Sequence, residues 1–99
     1  MTKLQFENDK EFENYISGGN YEVSKLIVET AEKLKISKKQ ELVIAKVHTK
    51  EDGMIYEITL NKKDVVNTLK QNINIYEREE DYIGCQKIVD LINYFQNQL

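Results

Sequence analysis

Apolar and polar residues alternate through the middle of the chain, and this pattern predicts a β-hairpin over about residues 41–60. Asp52-Gly53 lies near its centre, and this dipeptide favours the tight turns that join antiparallel strands. A two-residue turn there predicts that Val47 faces Ile58. A four-residue loop over residues 50–53 shifts the pairing without exchanging the two faces of the hairpin.

Either register gives the hairpin one apolar face and one polar face. The apolar face is formed by Val43, Ala45, Val47, Tyr56, Ile58 and Leu60. The polar face carries Lys46, His48, Lys50, Ile55, Glu57 and Thr59. A two-residue turn also sets His48 opposite Glu57, which predicts a cross-strand ion pair on a solvated face.

Apolar residues at helical spacing predict two helices before the hairpin. The first follows Asn8, which forms a capping-box pattern with Glu11, and it ends at Gly18-Gly19. The second covers about residues 21–35 and begins after Asn20, a favourable N-cap residue. Its apolar stripe is formed by Val23, Leu26, Ile27, Thr30, Ala31 and Leu34.

Two further helices are predicted after the hairpin. The third begins at about Lys62 behind a cap at Asn61, although residues 72–76 alternate in a way that also fits a strand. The fourth opens with the acidic run over residues 77–81 and extends to about Gln96. Its expected core positions are Cys85, Ile88, Ile92, Phe95 and Leu99.

These elements predict an α+β fold. Leu4 and Phe6 alternate with polar residues as in a short strand, so the expected order is strand, two helices, two strands and two helices. The fold is then a small antiparallel sheet, built on the hairpin, with about four helices packed on one side. A chain of 99 residues can bury one core but not two, so residues 1–99 are predicted to form a single domain.

Composition predicts a globular protein of the cytoplasm. Hydrophobic residues make up 40% of the chain and charged residues 31%, as in ordinary soluble domains. The longest apolar run is residues 42–45, too short to cross a membrane, and no apolar leader follows Met1. Cys85 is the only cysteine, which excludes an intrachain disulfide and fits a reducing compartment. The chain has 13 Lys and 11 Ile but one Arg and no Pro, a bias typical of AT-rich genomes such as those of low-GC bacteria, their phages and their plasmids.

The sequence carries no catalytic or metal-binding pattern. Nucleophilic catalysis needs a nucleophile beside an oriented base, and the chain offers only His48 and Cys85 for such a pair. A structural or catalytic zinc site needs three or four protein ligands, which one His and one Cys cannot supply. We therefore expect a protein that is not an enzyme, with no catalytic residues, no bound metal and no cofactor.

Charge is unevenly distributed along the chain. Residues 33–63 carry eight Lys against four acidic residues, whereas the segments before and after them are net acidic. The basic segment contains the hairpin and its flanks, and the formal charge of the whole chain is −3. Such asymmetry is typical of proteins that contact a charged partner.

Two functions fit this asymmetry. The first is a non-enzymatic protein-interaction module, a phage- or plasmid-type regulator or anti-defence inhibitor that contacts the nucleic-acid machinery of a host. Its expected contact residues are Tyr76, Glu77, Glu79, Glu80, Asp81 and Tyr82. The alternative is a nucleic-acid-binding accessory factor that uses the basic region. Its contact residues would be Lys38, Lys39, Lys46, His48, Lys50, Lys62 and Lys63.

The last helix has more apolar residues than one buried face requires. Over residues 83–95 they are Ile83, Ile88, Val89, Leu91, Ile92, Tyr94 and Phe95. Such a helix is either enclosed by its own fold or shared with a second chain. A homodimer through the C-terminal helix is therefore a further prediction.

Overall fold

A computed structural model of the chain describes residues 2–17 and 19–98. These residues form four helices and a three-stranded sheet, so the predicted α+β class and the predicted order of elements are confirmed. Along the chain the elements are β1 (Thr2–Phe6), α1 (Asp9–Ser17), α2 (Tyr21–Ile36), β2 (Glu41–Thr49), β3 (Met54–Asn61), α3 (Val65–Arg78) and α4 (Tyr82–Gln96).

The sheet is mixed rather than antiparallel. β2 lies at its centre and pairs in parallel with β1 and antiparallel with β3. The prediction of an antiparallel sheet is therefore correct only for the hairpin. The parallel pair arises because α1 and α2 together connect β1 to β2 and return the chain to the end of the sheet at which β1 began. Alternation of apolar and polar residues predicts a strand but carries no information about its direction.

The hairpin closes through a four-residue loop. Thr49 faces Met54 and Val47 faces Tyr56, so residues 50–53 form the loop and the register expected from a two-residue turn is wrong. Over residues 45–49 and 54–58 the pairing moves by an even number of residues, so these residues keep their predicted faces.

Strand β1 explains why the hairpin loop is wider than the sequence suggests. The backbone N–H groups of Lys50 and Glu51 donate to the carbonyl oxygens of Phe6 and Glu7 at 2.9 and 2.8 Å. These two residues therefore continue the pairing of β2 with β1 after the pairing with β3 has ended. Gly53 completes the loop with a φ of +61°, in the left-handed region that glycine enters without a steric penalty.

A register shift between Val43 and Ala45 changes the composition of the apolar face. Before the shift Leu42 faces Leu60, a core residue, whereas Val43 faces Thr59. The prediction that Val43 belongs to the apolar face is therefore wrong, and Leu42 takes its place. A bulge adds one residue to one strand and so exchanges the faces beyond it. Residues 42–45 are all apolar, so alternation could not reveal the shift.

Helix α2 lies between the sheet and the other two long helices. Asn20 caps it as predicted, because its side-chain oxygen accepts the N–H groups of Glu22 and Val23 at 2.8 and 3.3 Å. One side of α2 packs on the sheet, where Leu26 and Ile27 line a small apolar cavity with residues of all three strands. On another side, buried Ser24 donates to the side-chain oxygen of Asn72 on α3. Both sides contribute to one continuous core.

Helix α3 begins at Val65, later than predicted. Asn61 does not cap it, because the side-chain oxygen of Asn61 accepts the N–H of Lys63 at 2.9 Å and its backbone oxygen accepts that of Asp64 at 3.0 Å. The local hydrogen bonds close a turn between β3 and the helix. Residues 72–76, which fit a strand or a helix in the sequence, continue α3 as a helix.

Helix α4 buries a different face from the one predicted. Cys85 and Ile92 are only half-buried, and Leu99 lies outside the described residues. The residues that α4 buries are Gly84, Ile88, Leu91 and Phe95. Helix α4 carries hydrophobic residues on more than one side, so the sequence allows either the predicted face or the observed face to be buried. The observed face is buried because Gly84, which has no side chain, packs closely against α3.

The helices cover one face of the sheet and leave the other open to solvent. The exposed residues of the open face are Lys3, Gln5, His48, Ile55, Glu57 and Thr59, and Lys46 is half-buried among them. The polar face predicted for the hairpin is thus confirmed except for Lys50, which lies in the loop, and β1 extends this face by two residues.

Candidate functional site

Five lysines gather at one end of the three long helices, beside Asp64, and four acidic residues gather at the other end, beside Arg78. Helices α2 and α4 run in the same direction, because the hydroxyl of Tyr21 bonds to Asp81 at their starts and that of Tyr94 bonds to the backbone oxygen of Lys35 near their ends. Helix α3 runs back between these ends over about 21 Å, at about 1.5 Å per residue. The lysine end carries Lys35, Lys38, Lys39, Lys62 and Lys63, and the acidic end carries Glu77, Glu79, Glu80 and Asp81.

The acidic run is divided by the turn between α3 and α4, rather than opening α4 as predicted. Glu80 lies in the left-handed region with a φ of 58°. Its N–H donates to the carbonyl oxygen of Glu77 at 3.0 Å, and the N–H of Asp81 donates to that of Tyr76 at 2.9 Å. This hydrogen-bond pattern is a Schellman motif, in which glycine usually occupies the left-handed position. Glu79 and Glu80 are therefore held outward at the corner between the two helices.

Two of the six residues predicted for protein contact have structural roles. Tyr76 is only 4% exposed, and its ring packs edge-on against that of Tyr21 with 5.3 Å between the centroids. The carboxylate of Asp81 caps α4 by accepting the N–H of Gly84 at 2.9 Å and also accepts the hydroxyl of Tyr21 at 2.6 Å. The other four predicted residues, Glu77, Glu79, Glu80 and Tyr82, are exposed.

The bond between Tyr21 and Asp81 shifts the pKa of both groups. The hydrogen bond to Asp81 raises the pKa of Tyr21 to about 12, because it stabilises the protonated hydroxyl beside a carboxylate. The same bond, followed by the bond from the backbone of Gly84, lowers the pKa of Asp81. Burial raises the pKa of Tyr76 to about 12 as well.

We expect Tyr21→Phe to lower the free energy of unfolding most between about pH 5 and pH 9. The stabilisation from Asp81 is present above the ordinary carboxyl pKa and disappears as pH falls through its lower folded pKa. The stabilisation from Tyr21 is fully present below about pH 10, the ordinary pKa of tyrosine, and is lost as the pH rises towards 12. Urea unfolding at pH 3, 7 and 11 measures the difference. Tyr82→Phe is the control, and a difference between Tyr21→Phe and the native chain that stays constant with pH would contradict this account.

Two large apolar side chains stand beside the exposed acidic residues. At the start of α4, Tyr82 is 67% exposed and Ile83 is 85% exposed. Glu77, Glu79, Glu80, Tyr82 and Ile83 are named the acidic corner from here on. The sequence prediction omitted Ile83 from the contact residues, although the apolar surplus of the last helix was the signal for it. Most of that surplus belongs to the core, since Ile88, Leu91 and Phe95 are buried and Ile92 and Tyr94 pack against them.

The structure does not bring the seven residues of the alternative basic site together. Lys38, Lys39, Lys62 and Lys63 lie at the lysine end. Lys46 and His48 lie on the open face of the sheet. Lys50 lies in the hairpin loop and forms an exposed ion pair with Glu7 at 3.4 Å. The basic segment of the sequence thus becomes three separate places on the surface.

The candidates for catalysis are also separated. His48 faces Ile55 rather than the predicted Glu57, which faces Lys46. The imidazole lies 3.5 Å from the side chain of Gln5 on the open face, whereas Cys85 packs against the core. Among residues 2–17 and 19–98, no three His, Cys, Asp or Glu side chains are grouped closely enough to hold a metal ion.

Comparisons with known proteins were made at three levels. No family model, no curated protein and no solved structure matches this chain. Within the described part of the chain, none of the helices has both the length and the apolar character needed to traverse a bilayer. The candidate site therefore rests on its own geometry, and its clearest feature is the acidic corner.

Proposed function

We propose that the protein is a non-enzymatic interaction module that binds another protein through the acidic corner. The exposure of Ile83 carries this proposal. Ile83 is 85% exposed and lines one shallow surface together with Tyr82, which is 67% exposed, so the two form a small apolar patch rather than a single exposed side chain. Interfaces often consist of a few apolar anchors surrounded by a polar rim. Ile83 and Tyr82 would be the anchors and the three glutamates the rim.

The backbone of Glu80 supports the same surface. An L-residue in the left-handed region costs about 1 kcal/mol or more, which glycine would avoid. The chain has glutamate at this position, with the carboxylate exposed and no ion-pair partner among the described residues. Strain at an exposed residue is often found where the side chain is needed for binding. We infer that the charge of Glu80 serves a partner rather than the fold.

The chemistry of the corner suggests the class of partner. The glutamates of the corner precede the apolar pair in the chain, and Gln86, Lys87 and Asp90 line the surface beside it. An acidic and apolar surface is complementary to an apolar depression flanked by Lys and Arg. Proteins that handle nucleic acids have basic grooves of this kind, because they bind phosphates. We propose that the module regulates or inhibits a host protein of this class, as a phage- or plasmid-type anti-defence factor would.

Ile83→Ser and Glu80→Gly test this function. Ile83→Ser should weaken binding at least tenfold, as expected for loss of an interface anchor, without a measurable change in stability. Glu80→Gly should weaken binding and make it less sensitive to salt, yet raise the free energy of unfolding by about 1 kcal/mol by relieving the left-handed strain. In both variants the expected change in binding is therefore not explained by a loss of stability. The measurement is quantitative affinity capture from cells of the natural source, followed by calorimetric titration of the purified partner.

Ile36→Ser is the matched control, because Ile36 is 86% exposed but lies at the lysine end. A partner of the acidic corner is retained by the native chain and by Ile36→Ser and is lost with Ile83→Ser. If the native chain and Ile83→Ser capture the same proteins in the same amounts, the proposal is wrong. A dimer of the native chain that Ile83→Ser dissociates would also contradict it and would assign the corner to the predicted self-association.

Nucleic-acid binding stays a second candidate function because one observation favours it. Lys38, Lys39, Lys62 and Lys63 come from two different loops, which contact each other through the bond from Lys62 to the backbone of Ser37. Lysines gathered in this way can contact several phosphates of one strand, and such binding weakens steeply with salt. Lys46, His48 and Lys50 would not take part, since they lie on other surfaces.

A further inference from the structure

Three lysines at the lysine end line one cleft of about 310 Å³. Lys35 comes from the end of α2, and Lys62 and Lys63 come from the loop between β3 and α3. Helix α4 supplies an aromatic wall, Tyr94 and Phe95. The remaining described residues that line the cleft are Gln40 and Gln98, so no described residue of the lining is acidic.

Two of the three ammonium groups contact other groups of the protein. The Nζ of Lys62 donates to the backbone oxygen of Ser37 at 3.0 Å. The Nζ of Lys35 lies 4.9 Å from the centre of the Tyr94 ring, and the hydroxyl of Tyr94 donates to the backbone oxygen of Lys35 at 3.2 Å. Positioned cations lose less conformational entropy when they bind a ligand than freely rotating ones do.

Among residues 2–17 and 19–98, no side-chain carboxylate lies within 4 Å of an ammonium group of these three lysines. In this part of the chain the ion pairs shorter than 4 Å involve Lys25, Lys50 and Lys87, none of which lines the cleft. The cleft therefore combines a positive potential with an apolar wall and two amide side chains. Its volume is at the lower end of the range for small-molecule sites, about 300–1,000 Å³.

We propose that this cleft binds a small organic phosphate ester. The lysines would bind the phosphate group by charge-assisted hydrogen bonds. Tyr94 and Phe95 would pack against the organic part of the ligand, and the amides of Gln40 and Gln98 would bind its hydroxyl or carbonyl groups. The site is independent of the acidic corner, which lies at the other end of α3. Neither proposal depends on the other.

The test is a titration of the isotope-labelled full chain, followed by nuclear magnetic resonance. The probes are phenyl phosphate, ribose 5-phosphate and adenosine 5′-monophosphate, with inorganic phosphate, adenosine and a single-stranded oligonucleotide for comparison. At least one ester should saturate the amide shifts of Gln40, Lys62 and Lys63 and bind at least tenfold more tightly than inorganic phosphate or adenosine. The proposal is overturned if no ester saturates these shifts below about 10 mM, the upper part of the weak-binding range. Equal binding of inorganic phosphate, or binding of the oligonucleotide alone, overturns it too.

Lys63→Gln and Lys70→Gln form the matched pair of variants. Lys63 is exposed and lines the cleft, whereas Lys70 is exposed on α3 and does not. Lys63→Gln should weaken binding of the ester at least tenfold, and Lys70→Gln should leave it unchanged. Equal weakening in both variants would show that only the overall charge matters, and the assignment to the cleft would be wrong.

Discussion

Gly84→Ala should lower the free energy of unfolding by about 2–3 kcal/mol, in the range found for overpacked cores. A Cβ atom at this position would overlap the ring of Tyr76 and lie 2.7 Å from Oδ2 of Asp81. Neither neighbour can move easily, since the Tyr76 ring is buried and packs on Tyr21 and the Asp81 carboxylate caps α4. In an ordinary helix the same change stabilises by about 1 kcal/mol, so close packing is expected to reverse the sign.

Urea unfolding followed by circular dichroism measures the effect of Gly84→Ala. The control repeats the substitution in a Tyr76→Leu background, where the ring has been removed. There Gly84→Ala should cost clearly less than in the native chain, because the overlap with the ring is gone and only the contact with the Asp81 carboxylate still opposes the helix propensity of alanine. If Gly84→Ala is as stable as the native chain, the contact between α3 and α4 is looser than the structure shows.

Leu34→Ala should lower the free energy of unfolding by about 2–5 kcal/mol. Leu34 has no exposed surface and belongs to the core that joins the sheet to α3 and α4. Its truncation removes apolar contacts and leaves a cavity, and the cost depends on how far the surroundings can close it. This loss is a large part of the total stability of a typical folded protein, which is about 5–15 kcal/mol.

Ile36→Ala is the matched control for Leu34→Ala, because Ile36 ends the same helix and is 86% exposed. Its effect should stay within about 0.5 kcal/mol, as for most surface substitutions. The midpoint and slope of urea unfolding, measured for both variants, give the two changes in the free energy of unfolding. If both variants lose a similar free energy of unfolding, α2 does not bury Leu34 and expose Ile36 as the structure shows.

Local features of the fold were predictable where a few neighbouring residues decide them. Asn8 and Asn20 cap α1 and α2 as expected, because capping needs only a side chain and the backbone two or three residues ahead. Asn61 accepts the N–H two residues ahead just as Asn20 does, but residues 62–64 form a turn and the helix begins only at Val65. The cap pattern at Asn61 could not distinguish these outcomes.

The candidate site was only partly predictable. Glu77, Glu79 and Glu80 are exposed, as a contact surface requires, and their part in binding stays a prediction. Tyr76 and Asp81 belong to the same run yet serve the core and the helix cap, because the turn between α3 and α4 directs them inward. Ile83 was missed, since an apolar residue in an apolar helix is expected to be buried.

The sequence by itself determined the α+β class, the order of elements, the hairpin and its solvated face, because periodicity is a property of neighbouring residues. Only the tertiary structure decided the direction of β1, the four-residue hairpin loop and the buried face of α4. These features depend on contacts between segments far apart in the chain, such as the bonds of Lys50 and Glu51 to β1 and the packing of Gly84 on Tyr76. The packing of α2, α3 and α4 likewise turned a basic segment between acidic ones into a molecule with an acidic corner at one end and a lysine-lined cleft at the other.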